Sequence, residues 1–149
     1  MGQRGFTLME LVATLLIIGI LAIVVIPRFD SLRGFDAVGY RDQVRATLEY
    51  ARKSAVAQRR SVRVTVAASA LTVDVRREIP ENTTANTWVA LNLPGRNGNV
   101  INPPAGVTLT PAADTISFDA LGRPDAAAAF IVSGGAGSIT VEAETGYVH

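Results

Sequence analysis

The sequence predicts an α+β fold: a long N-terminal α-helix whose second half packs on an antiparallel β body. Two changes of period carry this. From Val44 the apolar residues step by four, three and four through Leu48, Ala51 and Ala55, one stripe of an amphipathic helix. From Val62 the period drops to two, first as Val62, Val64 and Val66 and then as Leu71, Val73 and Val75, with polar residues between. Ahead of both lies an apolar run from Leu11 to Ile26 whose character is that of a membrane helix.

The N-terminal segment holds most of the functional information. Phe6 to Ile26 is 21 residues, about 31 Å of helix at roughly 1.5 Å per residue and enough to cross a hydrocarbon core of ~30 Å. Glu10 is the only charge between Phe6 and Pro27. A carboxylate in lipid is costly, so it marks a function and calls for a partner. A cleavable secretory signal would end in a small-x-small site, whereas this run ends Ile-Val-Val-Ile-Pro. A plain signal anchor explains neither Glu10 nor the Gly5–Phe6 junction. Pro27 removes a backbone donor and kinks or locally melts the helix. Gly19, inside the run, permits close helix contact or is simply a tolerated membrane glycine.

Beyond Pro27, Phe29, Leu32, Phe35 and Tyr40 continue the helical spacing into the Val44 stripe, which ends near Arg59; Gly34 and Gly39 weaken the stretch before it. Val62–Val66 and Leu71–Val75 form a hairpin about a turn at Ala67 to Ala70. Further strands are expected at Thr87–Leu93, Gly106–Thr110, Thr115–Asp119, Ala129–Ser133, Ser138–Glu142 and Gly146–Val148. Pro94 to Gly106, with three each of glycine, asparagine and proline, reads as loop. The organisation is a leader (1–5), a transmembrane and assembly helix (6–27), an amphipathic helix (28–60) and a β-rich body (61–149), with 28–149 forming one globular domain.

Composition narrows the chemistry. The chain has 149 residues, no cysteine and one histidine, His149, read as a solvated terminal side chain. Thiolate metal sites and disulfides are excluded, and no metal site or cofactor is expected. No carboxylate, serine or lysine constellation has catalytic spacing, so the sequence speaks against an enzyme. The Gly134–Ser138 run GGAGS precedes a strand pattern rather than a helix, which favours a hairpin turn over a phosphate loop. Asp119 to Pro124 reads as a turn. Asn82-Thr83-Thr84 has the form of a glycosylation acceptor but reads as loop. Charge is uneven: residues 28–60 carry eight basic groups and four acids, residues 61–149 five arginines and eight acids.

GFTLMELVATLLIIGILAIVVIP resembles the class III signal and membrane helix of type IV pilins and type II secretion pseudopilins. The resemblance implies cleavage between Gly5 and Phe6 by a prepilin peptidase, which also methylates the new Phe6 amine. It makes Glu10 the fifth mature residue, where the family keeps an acid, and puts Pro27 where the family's helix bends. Paired with the Phe6 amine of a neighbouring subunit, the Glu10 carboxylate would set axial register. The later pattern of helix, arginine-flanked hairpin, ISFDALGRP, apolar strand and SITVEAETGYV is similar to the GspH/FimT group. FDAVGYRDQVRATLEYARKSAVAQRRSVRV is similar to minor pilins of the mannose-sensitive haemagglutinin pilus. The lack of a C-terminal cysteine pair departs from many major pilins.

The function implied is a minor pilin or pseudopilin of a type IV pilus or type II secretion filament, acting in assembly or priming. Its implied partners are other pilin subunits, the prepilin peptidase and an inner-membrane assembly platform. The implied topology is single-pass in the inner membrane, with a cytoplasmic N-terminus and a periplasmic body. The alternative is a pilus-associated DNA receptor, because some members of the group bind DNA through arginine-rich loops. Arg59, Arg60, Arg63 and Arg96 are the candidate patch; Arg96 lies in a Gly-Arg step that lacks a second arginine two residues on.

Overall fold

The computed structural model describes residues 6–25, 28–77, 87–111 and 114–149. Gly5, Pro27 and the Asn82–Thr84 loop lie outside the described residues, as do the side chains of Phe29 and Leu32. The chain divides into two compact units, Met1–Arg33 and Gly34–His149.

The first unit contains helix α1, Leu8–Val25. It starts two residues later than the sequence suggests because Thr7 caps it. Glu10 N donates to Thr7 Oγ1 (3.3 Å) and to the Thr7 carbonyl (3.1 Å), and Leu11 N to the same carbonyl (3.1 Å). Its 18 residues extend about 27 Å at roughly 1.5 Å per residue. Among the described residues no helix is long and apolar enough to cross a membrane.

Helix α2, Arg28–Gln58, runs on through Gly34 and Gly39. Within the second unit it buries Ala37, Tyr40, Val44, Leu48, Ala51 and Ala55, a single line at steps of three and four. Phe35 departs from expectation and is 77% exposed. At about 100° per residue it stands some 200° around the helix from Ala37, on the face opposite the stripe. The end of α2 is a Schellman turn. Arg60 N reaches the Ala55 carbonyl (3.1 Å) and Arg59 N the Val56 carbonyl (3.3 Å), with Arg59 at a φ of 51°. The helix therefore ends at Gln58, not at Arg60.

Among the described residues the strands are β1 (Val62–Ala67), β2 (Ala70–Arg76), β3 (Trp88–Ala90), β4 (Val100–Ile101), β5 (Leu109–Thr110), β6 (Asp114–Phe118), β7 (Ala128–Val132) and β8 (Gly137–Val141). One sheet has the order β3-β2-β1-β6 with β4 also on β2; the other is β5-β7-β8, and every pairing is antiparallel. The β1–β2 register sets Val62 opposite Val75, Val64 opposite Val73 and Val66 opposite Leu71. On the other side β6 adds Phe118 and Ile116 opposite Val62 and Val64. These pairs, the α2 stripe and Leu109, Phe130, Val132, Ile139 and Val141 of the second sheet form one core. Full burial of each such side chain contributes about 1.5–3 kcal/mol.

Three expectations change. The stretch Pro94–Gly106 is not wholly loop. Asn99 Nδ2 donates to the Val73 carbonyl (3.0 Å) and Asp74 Oδ1 (2.9 Å), and its own carbonyl accepts from Val73 N (2.9 Å). That anchors β4, and Ile101 is buried opposite Leu71. Gly146–Val148 is a single bridge from Val148 to Val141 rather than a strand. His149 is not loose: its backbone pairs both ways with Thr140 (2.8 and 3.0 Å) and its ring stacks on Tyr147 at 5.5 Å.

Candidate functional site

In α1, every described side chain from Leu8 to Ala22 is exposed, and no polar face interrupts the apolar surface. Thr14 removes its own polarity by donating Oγ1 to the Leu11 carbonyl at 2.8 Å. No neighbouring heavy atom lies within 4 Å of where a Cβ on Gly19 would sit, which leaves that flank free for close approach of another helix. Glu10 is exposed at the third helical position, where the helix dipole favours an anion. Thr7-Leu8-Met9-Glu10 has the spacing of a capping box. That spacing is legible in the sequence. Phe6 lies exposed immediately before the cap; Gly5 and Pro27, its companions in the expected site, lie outside the described residues.

Of the four arginines of the alternative site, Arg63 and Arg96 have partners within the body. Arg63, on β1, bonds Asp74 Oδ2 across the hairpin at 3.1 Å and lies 4.4 Å over the Trp88 ring, so its charge is paired and its flat face covered. Arg96 sits in the β3–β4 connection with Nη1 at 3.4 Å from the Val100 carbonyl. It borders a cleft of about 180 Å³ shared with Gln43, Thr47, Tyr50 and Ile101. Tyr50 lies nine residues before Arg59, which is about 13 Å along a helix. Arg59 and Arg60 are adjacent at the Schellman turn. The cleft is smaller than the 300–1,000 Å³ usual for a small-molecule site. Among the described residues no group of three or more histidine, aspartate or glutamate side chains converges as a metal site would require.

A better-built junction lies at the C-terminal half of α2, and sequence reading did not find it. Arg52 Nε donates to the Gly122 carbonyl at 3.3 Å. Gly122 and Gly146 take φ of 80° and 64°, a left-handed conformation that glycine adopts without steric cost. A Cβ on Gly122 would stand 2.9 Å from Val56 Cγ2, and one on Gly146 would run into the Gly122 carbonyl oxygen. Asp119 Oδ1 holds the intervening turn through the amides of Leu121 (2.8 Å) and Arg123 (2.9 Å). The two glycines are 24 positions apart, so nothing local in the sequence brings them together. At the other end of the stripe, the β7–β8 turn rests on α2: Arg41 Nη1 donates to the Ala136 carbonyl at 3.1 Å. Gly134, Gly135 and Gly137 all have positive φ there, as a hairpin turn requires and a phosphate loop opening a helix does not.

Comparisons with known proteins agree with this architecture. Residues 41–146 match the family described as type II transport protein GspH, and residues 1–26 match the prokaryotic N-terminal methylation motif. Two crystal structures of the type IV minor pilin FimU of Pseudomonas aeruginosa (strain PAO1) share the fold. They align at a TM-score of 0.50 with 17% and 16% identity, over 73% of this chain and 83% and 87% of theirs. Among curated proteins none matches. A matched region covering most of the chain, with the methylation motif ahead of it, shows that this chain belongs to the GspH family, the minor pilins and pseudopilins of type IV pili and type II secretion.

Proposed function

We propose that this chain is made as an inner-membrane precursor, cut by prepilin peptidase between Gly5 and Phe6 and methylated on the Phe6 amine. It then enters a type IV pilus or type II secretion filament as a minor subunit. Its work is structural rather than enzymatic, in assembly or priming below the tip. The observation that carries this is the surface of α1. Ten large apolar side chains between Leu8 and Leu21 are exposed, each worth about 1.5–3 kcal/mol when covered. A helix apolar all round belongs in lipid or among other helices, and a filament subunit meets both in turn. Lipid covers it before assembly, with the N-terminus cytoplasmic and the body periplasmic, and neighbouring subunits cover it afterwards. Handed on by the membrane assembly platform, Glu10 then pairs with the Phe6 amine of the subunit above, and Pro27 supplies the break between the membrane helix and the rest of the rod.

The test of processing is intact mass. The wild-type chain is expected to begin at a methylated Phe6. Gly5→Leu is expected to remain full-length, since its branched side chain occupies the space where the protease meets bare backbone. A mature Phe6 terminus in that variant contradicts the assignment.

A further inference from the structure

The turn between β3 and β4 contains a reactive pair. Of the six asparagines in the chain, only Asn97 precedes a glycine. The side-chain carbonyl carbon of an asparagine is open to attack by the backbone nitrogen of the next residue. A glycine there brings no side chain to obstruct the five-membered ring, and its backbone is the freest to reach it.

Both members of the pair are unoccupied. Asn97 is exposed, and among the described residues neither its side chain nor the Gly98 N–H makes a hydrogen bond. Gly98 lies outside any strand, with a φ of 135°. No neighbouring heavy atom comes within 4 Å of where a Cβ on Gly98 would sit. The other described asparagines are each blocked. Asn92 precedes Leu93, whose N–H is held by the Gly98 carbonyl at 2.9 Å. Asn99 has its side-chain nitrogen committed to the Val73 carbonyl and to Asp74 Oδ1. Asn102 precedes Pro103, which has no N–H to lose.

We propose that Asn97 is a site of spontaneous deamidation through a cyclic imide, and that its isoaspartyl product loosens β4 from β2. The Gly98 nitrogen gives its proton to solvent base and bonds to the Asn97 side-chain carbonyl carbon. The side-chain carbon–nitrogen bond then breaks, and the nitrogen leaves as ammonia with a proton from solvent. Water opens the imide on either side. Attack at the side-chain carbonyl leaves aspartate. Attack at the backbone carbonyl leaves isoaspartate, in which the main chain runs through the side chain and gains one methylene. That extra atom enters the loop closed by the Leu93 N–H and the Gly98 carbonyl, directly before Asn99, whose bonds to Val73 and Asp74 anchor β4.

The full-length chain in detergent is aged in mildly alkaline water labelled with heavy oxygen, beside a mildly acidic sample, and both are digested at acidic pH. Fragment masses then read each asparagine. Asn97 is expected to take up labelled oxygen as a mixture of aspartate and isoaspartate, at least tenfold faster than Asn92, Asn99 or Asn102 and at least tenfold faster than in the acidic sample. An intact Asn97, or equal rates at the four positions, overturns the site; conversion to aspartate alone overturns the cyclic route. The second half is read by hydrogen exchange at the Val73 amide, which donates to the Asn99 carbonyl at 2.9 Å. Exchange is expected to be at least tenfold faster in the separated isoaspartyl fraction than in the unaged chain, with Asn97→Asp unchanged. Equal acceleration in Asn97→Asp contradicts the extra backbone atom as the cause. Unchanged exchange in the isoaspartyl fraction means that β4 stays anchored and overturns the loosening.

Discussion

Gly146→Ala probes the packing that aligns the C-terminal segment with α2 and the Asp119 turn. The new Cβ meets the Gly122 carbonyl oxygen, a backbone atom that cannot swing aside, and lies 3.2 Å from Arg52 Cδ. Overpacking of this kind costs about 1–3 kcal/mol. The φ of 64° adds about 1–2 kcal/mol for a side chain in the left-handed region, for a total of roughly 2–5 kcal/mol. The unit Gly34–His149 has 116 residues (149 − 34 + 1). At about 2.1 cal/mol/K per residue its unfolding entropy is near 0.24 kcal/mol/K, so Tm should fall by about 8–20 °C. Gly106→Ala is the control. Its φ is 82° but no atom lies within 4 Å of the added Cβ, so only the backbone strain of about 1–2 kcal/mol applies, some 4–8 °C. Both melts are followed on the full chain in detergent by the fluorescence of Trp88, the sole tryptophan, which sits under Arg63. A Gly146→Ala melt within about 2 °C of the Gly106→Ala melt refutes the close approach at Gly122.

Other substitutions test other links. Leu48→Asp places an unpaired charge at a fully buried point of the α2 stripe and should abolish the cooperative transition, at a cost of order 5 kcal/mol; an unchanged melt means the stripe is not the packed face. Tyr40 is buried with a hydroxyl that has no hydrogen-bond partner among the described residues, and burial raises its pKa above the usual 10.0. A raised folded pKa means the native state holds its proton more tightly, so this stability is full below pH 10 and is lost as pH climbs through the folded value. Tyr40→Phe should therefore raise stability by about 1 kcal/mol at neutral pH and flatten the alkaline fall of Tm; an alkaline limb identical to wild type assigns that fall elsewhere. Arg59→Gly relieves the left-handed C-cap at φ 51° and, after the entropy cost of glycine, should stabilise by about 0.5–1 kcal/mol in a denaturant melt; a loss of stability would mean that the Arg59 side chain makes a contact worth more than the strain.

The α2 stripe and the β1–β2 hairpin were legible because each is written in a local period, and burial follows it residue by residue. Pairing of Arg63 with Asp74 follows from the same alternation, since the hairpin register sets them opposite. Tertiary geometry was not legible. β4 exists because Asn99 reaches Val73 and Asp74, 25 and more positions away, and its own Gly-Asn-Pro surroundings read as loop. Phe35 misled because a three-residue step was counted from Leu32, although the helix buries Ala37 and Tyr40 on another azimuth. The Gly122–Gly146 approach joins two turns that carry no shared signal in sequence. At the N-terminus the acid at Glu10 is plain in the sequence, and so is the threonine three residues before it that caps α1.

The charge of Glu10 offers the most direct test. Glutamine keeps the third-position capping ability that alanine loses, but neither carries the charge needed by a neighbouring ammonium. The measurement is the ratio of chain in sheared filaments to chain left in the membrane, for wild type, Glu10→Gln and Glu10→Ala expressed at equal levels. If Glu10 serves assembly through its charge, both variants are cleaved and inserted normally, and both ratios drop together by at least tenfold. If Glu10→Gln enters filaments like wild type while Glu10→Ala does not, the residue acts only as a helix cap, and the intersubunit pairing is wrong.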